Sequence, residues 1–229
     1  IQEFGGPNPN RHDANVTSSH LREIDMQNHA LQFQGGLHNQ DDKVSFLSGS
    51  WDNADDIQTV EFRFKTQYQN SQSLFQTSQN PLDTANPRQQ LFLIPSKSAG
   101  DPDTKYAFVK YTFADTGLND NEYKSGSLGK LPILDNDWWN IALVNDDEGK
   151  KIKLICQKSP DHAHGNITHK DSIEIDYLDT DQSSGWGSGA VDTFYFGHKE
   201  TINNTKFINS ASNLDFFSGS LQELRFWAC

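Results

Sequence analysis

Phe216-Phe217-Ser218-Gly219-Ser220-Leu221-Gln222-Glu223-Leu224-Arg225-Phe226-Trp227 is the stretch on which the reading of the fold turns. Leu224 and Phe226 alternate with Glu223 and Arg225, so a strand here buries one face and solvates the other. Leu221 falls on the opposite parity, which requires a bulge or an end to regular pairing near Gln222. The expectation is a closing strand with a bent entrance.

Upstream, short strands follow one another with turn signals between them. Residues 31–34 and 43–47 alternate and are expected to form an antiparallel pair across the turn at 35–39. The cleanest alternation is Thr59-Val60-Glu61-Phe62-Arg63-Phe64-Lys65-Thr66, with Val60, Phe62 and Phe64 facing in and the charges facing out. Residues 73–77 read as its paired neighbour. Residues 90–94 and 106–113 carry large side chains on both parities and are expected to be central. The Gly/Asn/Asp/Ser-rich run 114–132 reads as a long loop, which in a compact domain is functional or mobile. Residues 138–144 and 151–156 form a hairpin across the turn at 145–149. Strands at 172–177 and 192–197 complete the series. With almost no helical periodicity, the pattern predicts an all-β fold of two packed antiparallel sheets.

Phe217-x-Gly219-x-Leu221-x-Glu223-Leu224-Arg225-Phe226-Trp227 is similar to the last strand of laminin-G-like domains. Trp138-x-Asn140-Ile141-Ala142-Leu143 resembles that family's Trp-x-(His or Asn)-(Val or Ile)-Ala-Leu stretch. Leu31, Phe33, Gly35, Val44 and Phe46 match its early strands, and Phe194 to Gly197 resembles a late one. The resemblance implies a concanavalin-A-like jelly-roll sandwich over residues 28–229. Residues 1–27, polar and rich in Pro and Gly, are expected to be an arm or linker.

Hydrophobic residues are only 34% of the 229, but 15 Phe and 5 Trp concentrate the apolar content in large side chains suited to sheet interiors. The net charge of -12 repels phosphate backbones and anionic headgroups, so nucleic acid is not an expected partner. No run approaches the roughly 20 apolar residues that span a bilayer, and no apolar leader opens the chain, so direct membrane insertion is not expected. Cys156 and Cys229 permit one pairing, a disulfide tying the last strand to an inner one; the alternative is that both are reduced. Sequons at Asn15, Asn166 and Asn203 suit glycosylation on a secretory route and an extracellular, cell-surface or virion-surface location.

Chemistry could reside in three places. Glu174-Ile175-Asp176-Tyr177-Leu178-Asp179 is similar to the Glu-(Ile/Leu)-Asp-x-x-Glu strand of laminarinase-like retaining glycosidases on this fold. The resemblance implies Glu174 as nucleophile, Asp176 as its tuning partner and Asp179 as acid/base, with the catalytic carboxyls about 5 to 5.5 Å apart. Asp179 stands where that family has Glu, one methylene shorter; an ordinary outward acidic face is the plainer reading. Calcium needs six to eight oxygens, which rim loops can gather from separated segments. The candidate ligands are Asp101, Asp103, Asp135 and Asp137, with further acidic loops at 52–56 and 146–147. His162, His164 and His169 complete no zinc pattern. Gly185-Trp186-Gly187 places a Trp that its own loop cannot readily bury, and Trp51 is a weaker case of the same kind. Both are candidates for stacking on a sugar or filling a partner's pocket.

Taken together, the sequence predicts a non-enzymatic extracellular recognition or adhesion module for a glycan or surface protein. The alternatives are a retaining β-glucanase acting through Glu174, Asp176 and Asp179, and a structural building block that assembles with other chains.

Overall fold

The computed structural model describes residues 15–16, 24–25, 30–33, 47–51, 57–78, 87–96, 104–115, 122–146, 148–159, 167–177, 192–197 and 217–228. Their strands are β1 (Asn15–Val16), β2 (Ile24–Asp25), β3 (Ala30–Phe33), β4 (Leu47–Trp51), β5 (Ile57–Lys65), β6 (Gln72–Ser78), β7 (Pro87–Pro95), β8 (Ala107–Asp115), β9 (Glu122–Ser127), β10 (Trp139–Asp146), β11 (Lys151–Lys158), β12 (Lys170–Asp176), β13 (Asp192–Phe196) and β14 (Gly219–Ala228). A short 3-10 turn, Ile133–Asp135, precedes β10. Two seven-stranded antiparallel sheets result: sheet 1 in the order β1-β4-β13-β6-β7-β8-β9 and sheet 2 in the order β12-β11-β10-β5-β14-β3-β2. This is a jelly-roll sandwich. No helix among the described residues is long and apolar enough to cross a membrane.

Alternation sets the core. In sheet 2, Val60, Phe62 and Phe64 of β5 lie opposite Leu143, Ile141 and Trp139 of β10, and all six are buried. Sheet 1 answers with Leu91 and Leu93 of β7 beside Tyr111 and Val109 of β8. Aromatic edges lock the layers together: Phe62 meets Phe196 at 5.1 Å between ring centroids, and Phe194 meets Phe226 at 4.9 Å. Each such pair adds about 0.5–1.5 kcal/mol beyond the area it buries.

The closing strand bends as its parity requires. Pairing of β14 with β5 shifts register between Gln222 and Arg225, and Glu223 adopts φ 54°. Leu221 is thereby buried, while Leu224 and Phe226 pack against the core from the other parity. Gly219 opens the strand because a Cβ there would collide with the Lys65 carbonyl oxygen.

Several expectations are corrected. Residues 43–46 of the expected partner of 31–34 lie outside the described residues; β3 joins β14 in sheet 2, and β4, which begins at Leu47, joins β13 in sheet 1. Strand β6 is no neighbour of β5 but pairs with β7 and β13 in the opposite sheet. Within the expected arm 1–27, Asn15–Val16 and Ile24–Asp25 pair with β4 and β3. The run 114–132 contains β9, an edge strand whose polarity hides it. Gly126 of β9 lets Ile175 of the other sheet approach to where a Cβ would be 2.6 Å from the Ile175 Cδ1.

Cys156 is a free thiol facing the core of β11 rather than half of a disulfide. Burial, and secondarily the Asp171 charge, push that thiol far up. Sheet order supplies the reason: β10 and β5 separate β11 from β14, about 14 Å at ordinary strand spacing. Cys229 lies outside the described residues; Ala228, the last described residue of β14, pairs with Ile57, whereas Cys156 lies level with Ile141 and Phe62. A disulfide requires Cα atoms within about 7 Å.

Candidate functional site

Where β5 turns into β6, a cleft of about 610 Å³ opens at the rim of the sandwich, lined by the turn 65–70, the entrance of β14 at 218–220, Phe33 and Asn136. Its floor is Thr66, which is buried. The Thr66 hydroxyl donates to the Ser218 carbonyl at 2.6 Å and accepts from the Tyr68 amide at 3.1 Å. Gln72 completes the floor: its Nε2 donates to Thr66 Oγ1 at 3.3 Å, and its Oε1 accepts from the Ser218 amide at 3.1 Å. The Asn136 amide donates to the Thr66 carbonyl at 3.1 Å. Three segments distant in sequence are thus clamped before any ligand arrives, so binding loses little further ordering entropy.

Above that floor stand side chains suited to sugar hydroxyls. Tyr68 offers a ring and a phenol, and Asn70 Nδ2 donates to its hydroxyl at 3.2 Å. Gln67, Gln69, Asn70 and Asn136 supply amides, each both donor and acceptor. Asn136 is held at φ 64°, ψ 19°, a left-handed conformation that Asn tolerates better than most residues. Lys65 forms one wall; its ammonium lies 5.1 Å from the Trp138 ring centroid, with the Arg63 guanidinium 5.4 Å from the same ring. No carboxylate lines the cleft among the described residues.

The sequence-predicted site residues lie elsewhere. Trp186 falls outside the described residues, and Trp51 is placed in β4 of sheet 1 by its backbone alone. Glu174 and Asp176 project from the solvent face of β12, an edge strand, while Ile175 points inward. Lys151 and Lys153 approach Glu174 at 3.2 and 3.5 Å, and the Lys151 hydrogen bond foremost holds its carboxyl below the usual range. The rim cleft does not include these two carboxylates, and Asp179 lies outside the described residues. Asn166 and Asn203 also fall outside, and Asn15 sits in β1.

For calcium, Asp135 and Asp137 do converge, but on a protein cation. Lys158 Nζ lies 2.7 Å from Asp135 Oδ2 and 2.5 Å from Asp137 Oδ2. Asp135 Oδ1 accepts from the Asp137 amide and from Trp139 Nε1. Burial pushes the Asp135 carboxyl up, but the Lys158 hydrogen bond, the Asp137 amide, the indole and the lysine charge outweigh it and hold the group low. In this structure both carboxylates of the pair are engaged by the Lys158 ammonium. Asp101 and Asp103 fall outside the described residues, among which no group of three or more His, Cys, Asp or Glu could hold a metal ion.

A second polar feature crosses the outward face of sheet 1. Tyr195, Gln76, Gln90, Thr112 and Ser125 stand in register on five adjacent strands. The first four are buried, as are Ser73 and Phe92 beside them. Ser73 Oγ, Thr112 Oγ1 and both amide atoms of Gln90 have no hydrogen-bond partner among the described residues.

The cleft residues Tyr68, Asn70 and Asn136 were not singled out by sequence reasoning. Their signal was Gln67-Tyr68-Gln69-Asn70, an aromatic among amides in the turn after the most regular strand, comparable to the glycine-flanked Trp186.

No family model matches this chain, and no curated protein matches it. Among solved structures it is similar to the LG1-3 region of the laminin alpha2 chain, with TM-score 0.47 and 19% identity, over 75% of this chain and 27% of that one. A SAP-like pentraxin from Limulus polyphemus gives 0.46 and 14%, over 87% and 76%. A β-glucanase from Bacillus licheniformis gives 0.39 and 10%, over 98% and 94%. The likeness is one of fold. The chain spans about a quarter of the laminin structure it resembles.

Proposed function

We propose that this domain is a non-enzymatic extracellular recognition module that holds a glycan in the rim cleft. The carrying observation is the cleft's composition: the Tyr68 ring and four side-chain amides over a floor already fixed by Thr66 and Gln72. A pocket with few, well-placed polar groups and an aromatic surface suits a hydroxyl-rich ligand. Among the described residues the lining offers amides and a phenol rather than the paired carboxyl groups of the two-carboxylate mechanism.

The test is binding and hydrolysis of one glycan panel by the wild type, Tyr68→Ala, Asn136→Gly and Glu174→Gln. Glycine at 136 removes the amide while accepting the left-handed backbone. Binding without turnover, weakened about tenfold or more by Tyr68→Ala and by Asn136→Gly and unchanged by Glu174→Gln, is expected. Turnover abolished by Glu174→Gln would place the protein among the glycosidases instead.

A further inference from the structure

The cleft's charge does not match that of the chain around it. Asp and Glu make up 31 of 229 residues against 19 Lys and Arg, yet among the described residues the cleft lining holds one cation, Lys65, and no acid. Nearby cations are neutralised within the protein: Arg63 by Glu223 at 3.0 Å, Arg225 by Glu61 and Glu223, and Lys158 by Asp135 and Asp137. Lys65 makes no ion pair among the described residues. Its ammonium is steered instead onto the face of Trp138, a contact that orients a cation without neutralising it. Lys65 is partly buried and shares the cleft lining with Gln67 and Asn136, so a carboxylate bound there meets a cation whose charge-assisted hydrogen bond outweighs a neutral one about twofold.

From this we infer that the cleft selects an acidic saccharide, a uronic acid or another carboxylated sugar. Its carboxylate pairs with Lys65, its ring lies against Tyr68 and its hydroxyls meet the amides. This rests on the glycan-recognition reading above and adds the class of glycan. The protein's net charge of -12 opposes approach of an anion, so long-range attraction does not supply the preference; it arises from the short contact with Lys65.

The test is calorimetric titration with defined uronic-acid oligosaccharides, each beside its carboxyl-reduced neutral counterpart, using the wild type, Lys65→Gln and Lys65→Arg. The acidic member of each bound pair should bind about tenfold more tightly. Lys65→Gln should bring the pair within about twofold by weakening the acidic member alone, and Lys65→Arg should retain the preference. Unchanged thermal melting of both variants shows that the fold is intact. Equal binding of acidic and neutral members by the wild type, or a preference that survives Lys65→Gln, overturns the inference and leaves the recognition reading standing. Failure of both members of every pair to bind overturns the inference together with glycan recognition.

Discussion

The outward faces of the two sheets obey the same alternation and reach opposite ends. On sheet 2 the outward face carries charged, solvated pairs: Arg225 with Glu61 at 3.0 Å, Arg63 with Glu223 at 3.0 Å, Lys151 with Glu174 at 3.2 Å. On sheet 1 a central row of them, Tyr195, Gln76, Gln90 and Thr112, is uncharged and buried, with Lys110 the charged neighbour over the Phe92 ring, and the Gln90 amide finds no partner at either atom among the described residues. Period-two alternation therefore tells which residues leave the core but not whether they meet water. An unpaired buried amide costs about 1–3 kcal/mol, so the sheet 1 face carries a penalty the sheet 2 face does not.

A carboxylate placed on each face gives the largest contrast. Gln90→Glu buries an uncompensated charge and should destabilise by about 3–5 kcal/mol at neutral pH. Gln157→Glu, outward on β11 opposite Lys170, should stay within about 0.5 kcal/mol. The pH dependence has a definite sign. Burial raises the folded-state pKa of the carboxyl introduced by Gln90→Glu, so its penalty is absent below the unfolded value of about 4.3, grows as pH rises through the interval above it, and is complete beyond the folded value. Urea titrations across that range check both variants. Equal effects at the two positions would show that the sheet 1 face is wet.

Next in size is the anchor of the cleft edge. Asp135→Asn leaves Lys158 with one carboxylate and should cost about 1.5–3 kcal/mol by denaturant melting. Because its neighbours hold the Asp135 carboxyl low, the stability it contributes is present above the unfolded pKa of about 3.9 and is lost as pH falls through the lower folded value. Wild-type stability should therefore decline in acid more steeply than that of Asp135→Asn.

Gln90→Leu tests the same face from the other direction. Replacing an unpaired amide with an apolar group of similar size should stabilise by about 1 kcal/mol. A loss of more than about 1 kcal/mol would show that the amide is hydrogen-bonded after all.

What the sequence disclosed follows from the range of each interaction. The β5 alternation, the β10–β11 hairpin and the bulge before Arg225 depend on parity and neighbouring residues, and each was legible. Sheet membership was not: β5 and β6 are adjacent in sequence but belong to opposite layers, a choice made by packing across the sandwich. Strand β9 was missed because Glu122-Tyr123-Lys124-Ser125-Gly126-Ser127 has no apolar alternation; its place is fixed by Ile175 against Gly126. The cleft was hidden for the same reason. Tyr68, Asn136 and Ser218 come together only through Thr66 and Gln72, whereas the acidic run at 174–179 was conspicuous locally and its described carboxylates lie on an open face.

The smallest effect concerns the paired face. Arg225 is half exposed and holds Glu61 at 3.0 Å across the β14–β5 ladder, immediately after the bulge at Glu223. An exposed pair of this kind contributes about 0.2–1 kcal/mol, because solvent screens the attraction and two long side chains lose rotamer freedom. The coupling from a cycle of Glu61→Ala, Arg225→Ala and the double variant should fall in that range and shrink with added salt. Here Glu223 complicates the arithmetic, since it accepts from Arg63 and Arg225 together and can re-pair with whichever remains. Repeating the cycle on a Glu223→Ala background should therefore raise the Glu61–Arg225 coupling. A coupling above about 2 kcal/mol on either background would mean that the sheet 2 face is as dry as that of sheet 1, and the contrast between them would fail.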